Sequence, residues 1–437
     1  MNSFRPRIGE CRHYFLFLII GLVVVARIGA AAVLYAKNVF PSPIQDPLEY
    51  RNLAMNILAG NGFSIAQNPP YPPDLFRTPL YPLFLAATYG IDSAGYLAIL
   101  LQQLMIIASA WLLFKILRRW NDSSGKIALI FSLFLLVDPR IWFWSLETMT
   151  EALFIFLTAA MLFLLLYPEN FNTAHVAGAA VFFGLAVLTR PSGLLWAPGL
   201  VLFFLFCKKP VKSRLFMFFI FMAVAGIVVS PWLWRNYKLV GRPILSSMQT
   251  VNYIQAFGIG RDDPSWRCSD SIVDSKGREG CVFYGWTAAG FSDAEKTARN
   301  LRANTPVFSL IKKNMTGAYH FWKSNDYPDA LSILRSAALG AGKPISRTWQ
   351  ILAEASHKTY AAFLNFMLIL GVAGLVFLYK KRELAAAGLL GGIIFSSVFI
   401  NFGLASGRLH LILLPPLFYL AGLGTVFIKQ IYQQLIP

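Results

Sequence analysis

The chain has 437 residues, of which 56% are hydrophobic, 15% aromatic and only 14% charged, with a mean hydropathy of +0.55. Soluble domains carry about 25% charged residues, so an ordinary soluble fold is excluded, and recurring runs of about 20 apolar residues read as membrane-crossing helices. The formal net charge of +18 does not argue for nucleic acid as a partner, because the basic residues cluster at the ends of the apolar runs, as membrane topology demands.

The first run, Tyr14–Ala36, follows Arg5, Arg7 and Arg12. It is longer than the apolar core of a signal peptide, roughly 7–15 residues, and reads as a retained helix despite the small-residue stretch Gly29-Ala30-Ala31-Ala32. Next comes the polar patch from Ile44 to Pro82, where Asp46, Glu49, Arg51, Asp74 and Arg77 stand among prolines, glycines and tyrosines. Within it Pro47–Gly60 mixes Leu48, Met55 and Leu58 with polar residues and stops at Gly60, the pattern of a helix lying in the membrane interface. Further spans are expected near Tyr96–Leu117, Lys126–Val137, Glu147–Leu166, Ala174–Leu188, Gly193–Phe206, Leu215–Leu233, Tyr360–Leu378, Leu384–Phe402 and Leu409–Phe427. The Lys126–Val137 run is short, as a span that begins earlier or is partly re-entrant would be. Arg190-Pro191 separates the two runs on either side of it, because proline and the residue before it disfavour continued helix.

The segment 238–358 is a long connection, and such loops carry function or structure of their own. A surface helix is expected over Ala294–Ala303 with Ser292 as its cap. Arg261-Asp262-Asp263 and the charges from Asp270 to Glu279 read as solvated loop. Cys268 and Cys281 share this loop and are expected to pair as a disulfide if it lies in an oxidising compartment, whereas Cys11 and Cys207 sit beside basic clusters and are expected to stay reduced.

Lys115, Arg118, Arg119 and Lys126, then Lys208, Lys209, Lys212 and Arg214, then Lys380, Lys381, Arg382 and Lys429 mark the loops expected to face the cytoplasm, with both termini. That orientation places Asp46, Arg77, Asp138, Arg140, Glu147, Arg190, Arg235, Asn236, Arg408 and His410 together on the outer side. Ionisable groups at membrane depth are costly and face a cavity or a partner, so an outward-opening site is expected. No GxxxxGK[ST], HExxH, CxxC or GxSxG pattern occurs, which argues against ATP-driven transport, zinc proteolysis and serine hydrolysis.

Structural roles stand beside each functional one. Asp46 can start the interfacial helix, Arg77 can snorkel to headgroups, Asp138 and Arg140 can form a turn, and Glu147 and Glu151 can favour a helix N-terminus. Arg235 can hold Asn236 and Tyr237 in a turn, Arg408 and His410 can meet anionic headgroups, and Arg27 and Lys37 read as structural. The tryptophans at 142, 144, 232, 234 and 322 read mostly as interface anchors.

An ordered set of motifs goes further. Asp46 is followed by Tyr50, Ala54, Gly60-Asn61-Gly62-Phe63 and Arg77-Thr78-Pro79-Leu80-Tyr81-Pro82. Glu147–Glu151, Gly184–Pro191, Pro231–Tyr237 and Gly403–Pro416 come next in the chain. In this order they resemble bacterial membrane glycosyltransferases of the GT-C class, in the group of protein O-mannosyltransferase-like (family 39) and aminoarabinose lipid A transferase-like enzymes. The resemblance implies an all-α polytopic fold of about ten spans, a single domain over 1–437 with an active-site loop at 37–95 and a large outer loop at 238–358. It also implies multi-pass residence in the bacterial inner membrane, with chemistry on the periplasmic face. The implied activity is inverting transfer of a hexosyl or pentosyl group from a polyprenyl-phosphate donor to a lipid, glycan or protein acceptor, with membrane lipids as further partners.

By the same resemblance Asp46 is the base, with Glu49 as runner-up. Arg77, Tyr81, Glu147, Arg190, Arg235, Arg408 and His410 then bind donor phosphate or substrate. No cofactor is implied with certainty; a divalent metal at Asp138 and Glu147 stays open, with an incomplete ligand set. Two other readings remain: a carrier or flippase for a lipid-linked sugar, and a lipid-linked glycan ligase or polymerase.

Overall fold

The computed structural model describes residues 20–33, 45–120, 125–256, 268–273, 279–283, 287–288, 290–309, 311–312, 315–316, 347–399, 411 and 413–435. The described chain is helical apart from one antiparallel hairpin. Its helices are α1 (Ile20–Val33), α2 (Gln45–Leu58), α3 (Leu80–Tyr89), α4 (Tyr96–Trp120), α5 (Lys126–Val137), α6 (Pro139–Leu146), α7 (Glu151–Leu166) and α8 (Thr173–Thr189). A 3-10 turn, Pro191–Trp196, leads into α9 (Ala197–Phe206) and α10 (Val211–Val240). Then come α11 (Met248–Ala256), β1 (Cys268–Val273), β2 (Glu279–Phe283), α12 (Phe291–Asn304), α13 (Arg347–Lys380), α14 (Leu384–Phe399) and α15 (Leu414–Leu435).

Four described helices are long and apolar enough to cross a membrane, or five if α5 and α6 are one bent span, and shorter apolar helices accompany them. This makes the chain an integral membrane protein. The break between α5 and α6 bends by 47° and has a local cause. Asp138 closes α5 and caps α6, accepting from Arg140 N at 3.0 Å and Ile141 N at 3.1 Å, and Pro139 occupies the first turn, where a missing N–H costs nothing. The short run seen in the sequence is therefore one arm of a bent pair.

Small residues bring the late helices together. A Cβ on Gly374 would lie 2.0 Å from Leu420 O, and one on Gly424 would lie 1.9 Å from Leu370 O, so α13 and α15 cross with their backbones in contact, as glycines at membrane helix crossings permit. Near the other face of the fold, fully buried Arg27 of α1 donates to Gln103 Oε1 (3.1 Å), Leu136 O (2.7 Å) and Ser145 Oγ (2.7 Å), tying α1 to α4, α5 and α6 in the structural role expected of it.

The charged groups separate by end. Arg119, closing α4, donates to the carbonyls of Leu166, Tyr167 and Pro168 at 2.6, 2.9 and 3.0 Å, and Lys208 pairs with Glu383 at 2.7 Å. The start of α7 and the ends of α8 and α10 lie at the opposite end, where the first loop covers them.

Several local expectations change. α3 was hidden in the presumed loop. The surface helix starts at Phe291 with Gly290 as its N-cap, so Ser292 lies inside the first turn and does not cap it. Asp270 and Glu279 belong to the hairpin, where Asp270 faces Val282 and Glu279 faces Val273, because strand pairing satisfies the backbone that a solvated loop would leave to water. In that register Cys281 is opposite Ser271 and Cys268 opposite Phe283; the two cysteine side chains lie outside the described residues, as do Cys11, Lys37, Arg261-Asp262-Asp263, Trp322, Arg408 and His410.

Candidate active site

The first loop is built on α2. Asp46 lies in its first turn, and the helix ends where Gly60 (φ +77°) and Gly62 (φ +83°) take left-handed backbone that side chains disfavour. Asn56 then pins the returning chain, donating to Ser64 O and Ala66 O, each at 2.7 Å. Leu48, Leu53, Ile65, Phe76 and Val251 form a small core of their own beneath this turn. The descending strand of the loop is held from outside: Ser247 N donates to Leu75 O (2.8 Å), Ser246 Oγ to Phe76 O (2.6 Å), and Arg235 Nη1 to Asp74 O (2.8 Å). The result is a rigid bed that delivers Arg77 under α2.

Arg77 is 4% exposed and spends every guanidinium nitrogen. Nε donates to Glu49 Oε2 at 2.8 Å, Nη2 to Asp46 Oδ1 at 2.5 Å and also to Glu49 Oε2, and Nη1 to the Tyr50 hydroxyl at 3.3 Å. Burial by itself would lower the pKa of this guanidinium, but Asp46 and Glu49 outweigh burial and raise it further above its ordinary value. The two carboxylates differ in access. Glu49 is fully buried, whereas the Asp46 side chain is 23% exposed.

Asp74 makes the third carboxylate of the loop. Its Oδ2 accepts from Arg77 N at 2.8 Å, yet burial pushes its pKa up to about 6, against the opposing hydrogen bond from Arg77 and the charges of Arg77 and Arg235.

A second ion pair stands beside the first. Thr78 Oγ1 donates to Thr189 O at 2.9 Å, seating the loop on the last residue of α8. The next residue, Arg190, has extended backbone (φ −147°, ψ 127°) and reaches the start of α7, where Nη1 donates to Glu151 Oε1 at 2.7 Å and Thr150 Oγ1 at 3.2 Å. Tyr50 lies within electrostatic reach of Arg77, Asp46, Arg190 and Glu151 together; burial raises its pKa above the ordinary value and Arg77 opposes the rise.

The remaining expected residues divide. Tyr81 is buried with its ring 5.0 Å from that of Tyr50, and its hydroxyl donates to Gln102 Oε1 at 2.6 Å. Gln102 in turn donates to Glu147 O at 2.8 Å, so Glu147, fully buried at the end of α6, joins the same hydrogen-bonded group. Thr148 Oγ1 touches Pro47 O at 3.5 Å, which brings this turn against α2. Arg235 serves the loop backbone and Asn236 Oδ1 (2.8 Å), with its guanidinium over the rings of Trp232 (4.5 Å) and Phe63 (5.2 Å). Asp138 and Arg140 form a buried group with Tyr360: Tyr360 donates to Asp138, and Arg140 Nη2 donates to the Tyr360 hydroxyl at 2.5 Å. Among the described residues no three His, Cys, Asp or Glu side chains are grouped to hold a metal ion.

The sequence reading missed Thr150 and Glu151 as neighbours of Arg190. One signal was present: Glu147 and Glu151 are four residues apart. The structure places a turn between them, so they do not share a helix face.

Residues 76–234 match the family model of dolichyl-phosphate-mannose-protein mannosyltransferases, just over a third of the chain. That stretch includes Arg77, Glu147, Glu151 and Arg190, and stops short of Asp46 and Glu49. The resemblance to GT-C-class membrane glycosyltransferases therefore has a family match behind it as well as motifs. No curated protein matches the chain in sequence. Among solved structures, the chain aligns with the apo oligosaccharyltransferase of Archaeoglobus fulgidus at 14% identity and a TM-score of 0.48, covering 94% of this chain and 51% of that one. It thus spans about half the length of that protein. It aligns with ArnT of Cupriavidus metallidurans bound to undecaprenyl phosphate at 15% identity and a TM-score of 0.41, covering 93% of this chain and 78% of ArnT.

Proposed function

We propose, from the premise that residues 76–234 match the dolichyl-phosphate-mannose-protein mannosyltransferase family, that this protein is a membrane glycosyltransferase. It moves a sugar from a polyprenyl-phosphate donor to a lipid, glycan or protein acceptor at the outer face of the membrane. The donor lipid belongs to the same chemical kind as the undecaprenyl phosphate bound by ArnT of Cupriavidus metallidurans. The observation that carries the reading is a half-open carboxylate, Asp46, held on Arg77 beside a second arginine, Arg190, at one end of an apolar helix bundle.

In the reaction, Asp46 accepts the proton of the acceptor hydroxyl as its oxygen bonds to the anomeric carbon. The bond from that carbon to the donor phosphate breaks, and the polyprenyl phosphate leaves from the opposite face, inverting the centre. A phosphate departs as a stable anion, so it calls for cations and not for an acid. Glu49 is sealed and cannot meet an acceptor; it balances Arg77. Arg235 braces the loop, and Tyr81, Gln102 and Glu147 shape its floor. Arg408 and His410 are donor-binding candidates on the sequence motif alone.

The test is transfer by purified protein carrying Asp46→Asn. A positioned base contributes roughly 10²–10⁴-fold in rate, so turnover should fall by that factor with donor affinity retained. Because Asp46 is the more exposed partner of Arg77, the substitution leaves Glu49 to neutralise the guanidinium and the fold intact. Near-normal turnover would remove Asp46 from the chemistry.

A further inference from the structure

Arg77 and Arg190 look alike in sequence as cations of one site, but their guanidinium groups are in different states. Arg77 has each of its three nitrogens engaged and is 4% exposed. Arg190 is 12% exposed, and among the described residues it donates only through Nη1, to Glu151 and Thr150. Nε and Nη2 make no hydrogen bond among the described residues. The groups that hold Nη1 are themselves fixed: Glu151 is 2% exposed and Thr150 is also buried, and Glu151 stands in the first turn of α7, where the helix dipole favours its charge.

We propose that Arg190 is the anion-holding cation of this site, and that Glu151 and Thr150 are its positioning residues, clamping one guanidinium edge so that the other meets a phosphate monoester or diester. The proposal rests on the glycosyltransferase reading for the identity of the anion, the donor's lipid phosphate. It assigns Arg77 the separate task of holding Asp46 and Glu49. An arginine clamped on one edge loses little freedom on binding, since its fork is already aimed, and two parallel N–H donors match two phosphate oxygens.

A positioning carboxylate and a merely neutralising one predict opposite signs. Removing a negative charge beside an anion site strengthens anion binding if charge is all that Glu151 contributes. It weakens binding if Glu151 aims the fork. The measurement is equilibrium binding of a polyprenyl phosphate, with the matching polyprenol as the uncharged control, to full-length protein in phosphatidylcholine nanodiscs. Glu151→Gln should weaken polyprenyl-phosphate binding about tenfold, the worth of one charge-assisted hydrogen bond, and leave polyprenol binding unchanged. Thr150→Val should act in the same direction and less. In an Arg190→Ala background, Glu151→Gln should add no further loss, because its effect passes through that arginine. Unchanged or tighter binding by Glu151→Gln overturns the positioning role, and a full loss in the Arg190→Ala background overturns its route. Equal competition by phosphatidylglycerol in the disc overturns the donor-phosphate assignment in favour of a headgroup site. Absence of any polyprenyl-phosphate binding by the unmodified protein overturns the glycosyltransferase reading itself. A misfolded Glu151→Gln is separated from a true effect by Glu151→Asp, which keeps the buried charge and should bind better than Glu151→Gln.

Discussion

Asp74 shows how a single buried carboxylate can make folding stability depend on pH. Its folded pKa of about 6 lies above the ordinary 3.8, chiefly through burial. Between those values the folded state holds a proton that the unfolded state has lost, so stability falls as pH rises from about 4 to about 6 and stays lower above it. A shift of about two units corresponds to about 3 kcal/mol as an upper figure. The groups facing Asp74 are the amide and charge of Arg77, the backbone of Phe76 and the charge of Arg235. Asp74→Asn keeps an oxygen to accept from Arg77 N and removes the titration. Thermal unfolding in detergent should then show Asp74→Asn as stable as the unmodified protein or more so at pH 7.5, with the slope between pH 4 and 6 flattened. An unchanged slope would place the titrating group elsewhere. By contrast Arg77→Ala is a poor probe of chemistry, because it strands fully buried Glu49 and should cost about 3–5 kcal/mol of stability.

The bent pair α5–α6 shows how one turn carries both architecture and access. Asp138 caps α6 through two backbone amides and also accepts from Tyr360 of α13, while Arg140 lies 4.3 Å over the Tyr360 ring. This contact ties the helix after the large loop to the turn that leads, through Glu147, into the site. Tyr360→Phe removes one hydroxyl from a sealed polar group and should cost about 1–3 kcal/mol, read as a lower unfolding midpoint in detergent; an unchanged midpoint would show that the contact carries no stability. At the α13–α15 crossing, any Cβ on Gly374 meets backbone and not a mobile side-chain tip, so Gly374→Leu should separate the helices and lower the midpoint further than Tyr360→Phe does.

Across the whole molecule, the carboxylate-rich first loop covers one end of the bundle and the basic connections occupy the other. The basic end is expected to be cytoplasmic. An impermeant maleimide applied to intact cells should label Ser292→Cys, in exposed surface of α12, and not Lys381→Cys. The reverse pattern would invert the protein in the membrane and place the site on the cytoplasmic face.

The helical class, the apolar helices between Tyr96 and Phe206 other than α6, the helix α2 and the polar character of the first loop were all legible from the sequence. Each depends on runs of apolar residues or on a local stop such as Gly60, which act over one or two turns. Asp46, Glu49 and Arg77 were also recognisable as a group of interest, since their types are rare in so apolar a chain. Which arginine is already spent was not legible. Arg77 finds Glu49 28 residues away and Arg190 finds Glu151 39 residues away, and these partners depend on how α2, α7 and α8 pack, not on any spacing within one of them. The tertiary structure alone separates a sealed Glu49 from a reachable Asp46, because burial belongs to the packed bundle and not to the residue.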